Sequence, residues 1–295
     1  MNQDNISSTT GCSLKDNRIA TGKRVKETGY NYSSQPKEDI KVCDLCSHQG
    51  FETYCHQDRY CFPARSLRCK NCGLIFLSPR MTKEAYDDFY ENWYRTLVDA
   101  FNSRGESTEQ LDIVRKMQAT ELCEFLKNHL PTEYGKERLL DIGGSTGTFA
   151  QMCCQKFGFK SGAVVDPSKK EIQEAAKRGL TVSIGGIESF TNQPKAYSFI
   201  SLLKTIEHVL SIKRALEKIC LMLKDDGFVL IDCVDHEWLV NLIRDRTLTT
   251  KIDHIYQLTE KTVERYFEQA GLTIFAKERK MRYLIYLLKK DEHIT

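Results

Sequence analysis

From Pro131 onward, short apolar runs alternate with amphipathic stretches of helical period, the layout of a parallel sheet wrapped by crossover helices. Strands are predicted over 138–142, 162–165, 198–203 and 228–233. Between the last two, Ile212, Ala215, Leu216, Ile219 and Leu223 share one helix face, and 224–227 supplies a turn. Val263, Tyr266, Phe267 and Ala270 mark a last helix, stopped by Gly271, where a left-handed residue is wanted. Two closing runs, 272–276 and 281–288, are joined by 277–280 alone. That is too short for a crossover helix, so these strands are expected to be antiparallel if paired.

The first part of the chain reads differently. Residues 1–40 are rich in Asn, Ser, Thr, Lys and Gln and poor in large apolar side chains, and a disordered tail is expected there. Over 41–80 two cysteine pairs dominate, predicting a zinc ribbon. Over 81–132 an aromatic stretch leads into a helical one, in which Leu111, Val114, Met117, Leu122, Phe125 and Leu126 form an apolar stripe expected to pack on another unit. Residues 133–295 then form the α/β domain.

Charge excludes little but weighs against one class. The 43 basic and 40 acidic residues leave a formal net charge of +3, far from the excess needed to grip a phosphate backbone, so nucleic acid is not indicated. No stretch reaches the roughly 18 apolar residues that span a bilayer, and the first residues lack the basic-then-apolar layout of a secretory signal. A cytoplasmic protein without a membrane segment is expected. The twelve cysteines are spread over a large chain of ordinary apolar content, which favours reduced thiols over a disulfide set.

Four of those cysteines carry chemistry. Cys43-x-x-Cys46 and Cys69-x-x-Cys72 bracket a 22-residue loop, and two such knuckles offer four thiolates for a closed, structural Zn²⁺ site. Cys55, Cys61, His48 and His56 are the alternative ligands nearby.

The predicted strand 138–142 ends in Asp141-Ile-Gly-Gly-Ser-Thr-Gly147. Gly143 and Gly144 allow a sharp turn close to a ligand, and Gly147 allows a helix to start beside it. A dinucleotide loop would require glycine at 145 and 148, where Ser145 and Thr148 stand. Asp166 ends the next strand, placed either to bind the hydroxyls of a ribose or, with Ser168, to cap a helix.

The runs LLDIGGSTGTFA, VVDPSKKEIQEAAKRG, VSIGGIESF, FISLLKTIEHVLSIKRALEKICLMLKDDGFVLIDCVD and DHIYQLTEKTVERYFEQAGL, in this order, resemble a class I S-adenosylmethionine-dependent methyltransferase over 137–285. The resemblance implies an α/β fold, a doubly wound Rossmann-like methyltransferase sheet with an antiparallel last strand, preceded by the ribbon and helical segment. It implies that Asp141, Gly143, Ser145 and Gly147 face the methionine part of the cofactor, Asp166 its ribose, Gly186 and Ile187 its adenine, and Leu203 and Lys204 its sulfur. Three departures stand out: Ser145 in place of a glycine, tolerable at negative φ; Ser198 where an aspartate often precedes the fourth strand; and Lys204, whose cation must point away from a sulfonium.

The stretch RCKNCGLIFLSPRMTKEAYDDFYENWYR also resembles the zinc-ribbon leader of bacterial methyltransferases of this kind, frequent in sugar, surface-polysaccharide and natural-product pathways. That implies a pocket closed partly by Tyr86, Phe89, Tyr90, Trp93 and Tyr94, although their spacing equally suits a core.

Transfer to a hydroxyl needs a base. His254, between the fifth strand and the last helix, and His208, after the fourth, are the candidates; Asp235 and His236 come next. Asp253 is expected to point away from its neighbour His254. The leading function is methylation, at oxygen first, of a sugar, glycan or small-metabolite acceptor. The alternatives are RNA modification, suggested by the ribbon with Arg65, Arg68 and Lys70, and a degenerate fold used only for binding. Against the first, 203–205 reads Leu-Lys-Thr and not the Asn-Pro-Pro-Tyr type of motif; against the second stand Asp141, Gly143, Gly147 and Asp166.

Overall fold

The computed structural model describes residues 10–103, 108–191 and 193–291, with side chains from residue 19 on and none at 108 and 109. In chain order the elements are α1 (Thr10–Glu27), β1 (Lys37–Glu38), β2 (Phe51–Cys55), β3 (Ser66–Cys69), β4 (Ile75–Leu77), β5 (Arg80–Met81), α2 (Lys83–Asp88), a π-helical turn (Phe89–Trp93), α3 (Tyr94–Asn102) and α4 (Thr108–His129). Then follow β6 (Arg138–Ile142), α5 (Thr148–Phe157), β7 (Ser161–Asp166), α6 (Lys169–Lys177), β8 (Thr181–Ile184) and β9 (Tyr197–Leu203). After a 3₁₀ turn (Ile206–His208) come α7 (Ile212–Met222), β10 (Leu223–Val234), α8 (His236–Ile243), α9 (Arg246–Thr249), β11 (Tyr256–Gln257), α10 (Glu260–Gln269), β12 (Leu272–Lys280) and β13 (Tyr283–Lys290).

Seven strands form the main sheet in the order β12-β13-β10-β9-β6-β7-β8. The pairs among β10, β9, β6, β7 and β8 are parallel, and β13 runs antiparallel to both β10 and β12, as the short connection requires. The last two strands turn at Met281 and Arg282, not over 277–280, which continue β12. The turn expected over 224–227 is likewise the irregular start of β10, where the register shifts between Leu223 and Phe228.

Each buried strand feeds two cores because its side chains alternate. On β6, Leu140 and Ile142 join Ile200, Leu202, Val229 and Ile231 on the face covered by α7 and α10. Leu139 joins Val164, Phe199 and Leu230 on the other face, under Leu122, Phe125 and Leu126 of α4 and Phe149 of α5. Only this second half of the α4 stripe packs as expected; Val114 and Met117 stay exposed.

The expected tail to residue 40 is partly wrong. α1 is helical, Val25, Tyr30 and Tyr32 are buried, and Arg24 Nε donates to the Ala100 carbonyl at 2.8 Å. Three large side chains suffice because a preformed aromatic cluster receives them: Tyr30 lies 5.7, 5.5 and 5.4 Å from the rings of Phe62, Phe89 and Trp93. Residues 1–9 of that expected tail lie outside the described residues.

The ribbon strands do not stand alone. The second sheet is β11-β4-β3-β2, so a strand from the far end of the chain completes it, with Tyr256 opposite Phe76. Ribbon residues Leu45 and Leu74 share one continuous core with Ile255 and Tyr266. No helix among the described residues is long and apolar enough to cross a membrane.

Candidate active site

The sheet order reverses between β6 and β9, and ligand sites in such folds lie outside the carboxyl ends of the strands at this point. A cavity of about 1210 Å³ opens there. The loop after β6 is built for close approach. Gly143 has φ +73°, donates to the Val165 carbonyl at 2.7 Å, and a Cβ on it would stand 2.2 Å from Thr205 Oγ1. A Cβ on Gly144 would stand 2.6 Å from Asp141 Oδ2.

Ser145 departs from the expectation of a negative φ, since its φ is +52°. That conformation costs about 1–2 kcal/mol for a residue with a Cβ. Two hydrogen bonds offset it: its N–H donates to Asp166 Oδ2 at 2.9 Å and its hydroxyl to the Glu171 carboxylate.

Nine of the ten residues expected to bind the cofactor line this cavity: Asp141, Gly143, Gly144, Ser145, Asp166, Gly186, Ile187, Leu203 and Lys204. Gly147 does not. It precedes α5 at φ +72°, and a Cβ there would stand 2.4 Å from Leu180 Cδ1, so its role is to bring two helices together. Lys204 lines the cavity near enough to Asp232 for its charge to act on that carboxyl. Its ammonium lies 4.9 Å from the centre of the Tyr283 ring.

Three carboxylates border the cavity and have no ion pair among the described residues: Asp141, Asp166 and Asp232. Burial pushes Asp141 up to about 7 and Asp166 and Asp232 up to about 6. The shift is opposed at Asp141 by Ser201 Oγ at 2.7 Å, at Asp166 by the Ser168 and Ser145 amides at 2.9 Å each, and at Asp232 first by the Lys204 charge and then by the Lys204 amide at 2.5 Å. A cavity with this wall favours a cationic ligand and disfavours a pyrophosphate.

Glu171 was not singled out from the sequence, because Ser168-Lys-Lys-Glu171 reads as an ordinary helix start. Ser168 does cap α6, but the Glu171 carboxylate also meets Arg95 at 2.6 Å, Arg115 at 2.8 Å and the Ser145 hydroxyl. It therefore ties α3 and α4 to the glycine loop.

On the other side of the cavity stands His208, which lines it. Its Nδ1 lies 2.7 Å from the Asp253 carbonyl oxygen and 2.9 Å from Tyr90 Oη. A carbonyl can only accept, so Nδ1 carries the proton and Nε2 is left as a proton acceptor. Burial lowers the His208 pKa, the nearby Asp253 carboxylate opposes that, and Lys251 adds to it.

His254 does not line the cavity. Its ring meets that of His208 edge-on at 4.6 Å, and its Nε2 lies 2.8 Å from Lys251 Nζ. Burial, then Lys251 and His208, hold it well below its ordinary range, so it is neutral. Asp253, expected to point away, has Oδ2 3.9 Å from His254 Nε2. Glu207, His208 and His254 bring ligand atoms within 4.8 Å of one another, with Lys251 Nζ 2.8 Å from His254 Nε2. Of the aromatic segment, Tyr86, Tyr90 and Tyr94 line the cavity while Phe89 and Trp93 pack behind them. His236 is bonded to Tyr54 at 3.0 Å and lies in a different cleft.

The four knuckle cysteines converge. Cys43 and Cys72 Sγ lie 3.5 Å apart, Cys46 and Cys69 Sγ 3.6 Å, and all four within 4.8 Å. Zinc–sulfur bonds of roughly 2.3 Å set tetrahedral S···S edges of about 3.8 Å, which these match. The two knuckles share a turn: the Ser47 and Gly73 amides bond back to the Cys43 and Cys69 carbonyls at 2.9 Å each, both at positive φ. Cys55 and Cys61 lie outside this cluster.

A methyltransferase-domain family model matches residues 113–277. An uncharacterized protein of Methanocaldococcus jannaschii is 27% identical over 154 residues, which cover 52% of this chain and 62% of that protein. Among solved structures, a Leishmania major S-adenosylmethionine-dependent methyltransferase superposes with TM-score 0.50 at 17% identity, over 65% of this chain and 77% of that one. A chain of a Haloferax volcanii complex formed with a methyltransferase activator superposes with TM-score 0.51 at 12% identity, over 61% and 95%. These two likenesses concern the fold. With more than half of the residues inside the matched region, the chain belongs to the methyltransferase-domain family.

Proposed function

We propose that this protein transfers a methyl group from S-adenosylmethionine to a hydroxyl of a small-molecule acceptor, the expected sugars and glycans included, and that the ribbon binds a structural zinc ion. The observation that carries the first part is the carboxylate wall of Asp141, Asp166 and Asp232, unpaired around a cavity with a glycine loop at one end. When bound, S-adenosylmethionine supplies an electrophilic methyl group on a sulfonium. Asp166 has an oxygen lone pair free on each side for the ribose hydroxyls, Gly186 and Ile187 wall the adenine end, and Asp141 and Asp232 face the cationic end. The Lys204 ammonium stacks on Tyr283.

His208 Nε2 would take the proton from the acceptor hydroxyl as the oxygen–carbon bond forms and the carbon–sulfur bond breaks, its electron pair leaving on the sulfur of a neutral thioether. Its neutral state at pH 7 follows from burial, and the Asp253 carboxylate stabilises the imidazolium once the proton arrives. His254, read from the sequence as a base, instead packs against His208 and accepts from Lys251. Four thiolates in a closed set leave no open position, so a zinc ion there would supply folding energy and not chemistry.

The test is transfer of labelled methyl to a panel of hydroxylated acceptors by wild type and His208→Gln. A loss of about 10²- to 10⁴-fold with cofactor affinity retained supports the base. Unchanged turnover in the variant removes it.

A further inference from the structure

We propose that the acceptor is an amphiphile, with an anionic group held by Lys204, Lys280 and Arg282 and an apolar chain laid along the cavity mouth. This rests on the methyltransferase reading and narrows its substrate class. Four exposed large hydrophobic side chains meet at one rim, out of eleven among the described residues. Val114 and Met117 of α4, Leu242 of α8 and Met281 at the turn between β12 and β13 are 44%, 62%, 64% and 76% exposed, and all four border the same cavity. Trp238 and Leu239 continue the apolar wall inward from α8. Three elements far apart in sequence thus bring apolar groups to one rim, where single scattered residues would be unremarkable.

The charges at this rim identify the other half of the ligand. Lys204 and Arg282 both stack on Tyr283, 4.9 and 5.1 Å from its ring centre, and neither has an ion pair among the described residues. Lys280 has Glu278 at 3.8 Å, with both side chains more than a third exposed. The three cations and the tyrosine line the same cavity as Asp232. An anion there has complementary charge, while the carboxylates deeper in the cavity repel it from the cofactor end. A free sugar would leave the rim in water. A wholly apolar acceptor would leave Lys204 and Arg282 without an ion pair.

The experiment is a calorimetric titration of the full-length protein, saturated with S-adenosylhomocysteine, with monomeric dodecyl phosphate, dodecyl maltoside and inorganic phosphate. Dodecyl phosphate is expected to bind one per chain, with the uncharged amphiphile and inorganic phosphate each weaker by about tenfold or more. Leu242→Glu and Met281→Glu, both at exposed positions, are each expected to weaken dodecyl phosphate about tenfold with S-adenosylhomocysteine affinity unchanged, and Arg282→Glu to do the same. Dodecyl phosphate binding no tighter than inorganic phosphate, or equal in the rim variants, overturns the proposal. So does a concentration-dependent dimer of the wild-type protein that the rim variants abolish, since a second copy would then own the rim. Failure to bind S-adenosylhomocysteine sinks the underlying methyltransferase reading instead.

Discussion

Removing the zinc ion proposed for the ribbon is expected to damage the proposed acceptor side of the cavity and spare the proposed cofactor side. The connection is specific. Leu77 donates to the Ile255 carbonyl at 2.9 Å, Arg59 to that of Thr250 at 3.0 Å, and Tyr86 Oη to that of Ile252 at 3.0 Å. Thr250 Oγ1 donates to the Gln57 carbonyl at 3.2 Å, and the Ile252 amide to Asp58 Oδ2 at 3.1 Å. These five bonds hold 250–255, the segment whose Asp253 carbonyl fixes the His208 tautomer. At about 1 kcal/mol each, they contribute roughly 5 kcal/mol. A structural zinc ion contributes about 10–16 kcal/mol to folding its module. Losing it therefore releases the ribbon and, with it, four of these five bonds, the fifth coming from Tyr86 of α2. The carboxylates proposed to hold the cofactor, Asp141 and Asp166, sit on the seven-stranded sheet and are untouched. Metal analysis should find one zinc per chain. Chelation should speed amide exchange over 250–257 and lower methyl transfer about tenfold or more, while S-adenosylmethionine still binds. Substoichiometric zinc in protein purified without chelator, or exchange over 250–257 that ignores metal removal, would refute this reasoning.

Two further outcomes follow from the site. In the proposed mechanism neutral His208 is the active form, and its pKa lies below the ordinary 6.5, chiefly through burial and with Lys251 assisting against Asp253. Activity should hold at pH 6.5 and fall only at more acidic pH; a limb centred above 6.5 that moves in His208→Gln would contradict this. Gly143→Ala should cost about 1–2 kcal/mol for its positive φ and about 1–3 kcal/mol for the overlap with Thr205, measured by denaturant unfolding. Adding Thr205→Ser should recover only part of the steric share, and full stability in the single variant would mean that the loop is elsewhere.

Much of the sheet was legible because its strands are buried on both faces and bounded by turn residues, as at 138–142, where the predicted and observed ends coincide. Antiparallel pairing of the last two strands followed from connection length alone. The tail was misjudged because composition averages over its length, whereas Tyr30 and Tyr32 act individually in an aromatic cluster made by distant residues. β11 was invisible: two residues make no pattern, and their partner strand is some 180 positions earlier. Ser145 was placed correctly but with the wrong backbone sign, since the bonds that hold its positive φ come from Asp166 and Glu171 on the next unit. The two histidines were found as titratable groups near the fourth and fifth strands. Only packing could show that His208 lines the cavity and His254 supports it.

The central claim is a cationic cofactor held by the carboxylate wall and the glycine loop. It is tested most directly by calorimetric titration of wild type and Asp166→Ala with S-adenosylmethionine, with NADH as control. Saturable binding of one S-adenosylmethionine per chain, weakened about tenfold or more in the variant and absent for NADH, is the predicted result. No heat with S-adenosylmethionine or with its demethylated product, or tighter binding of NADH, would contradict the account.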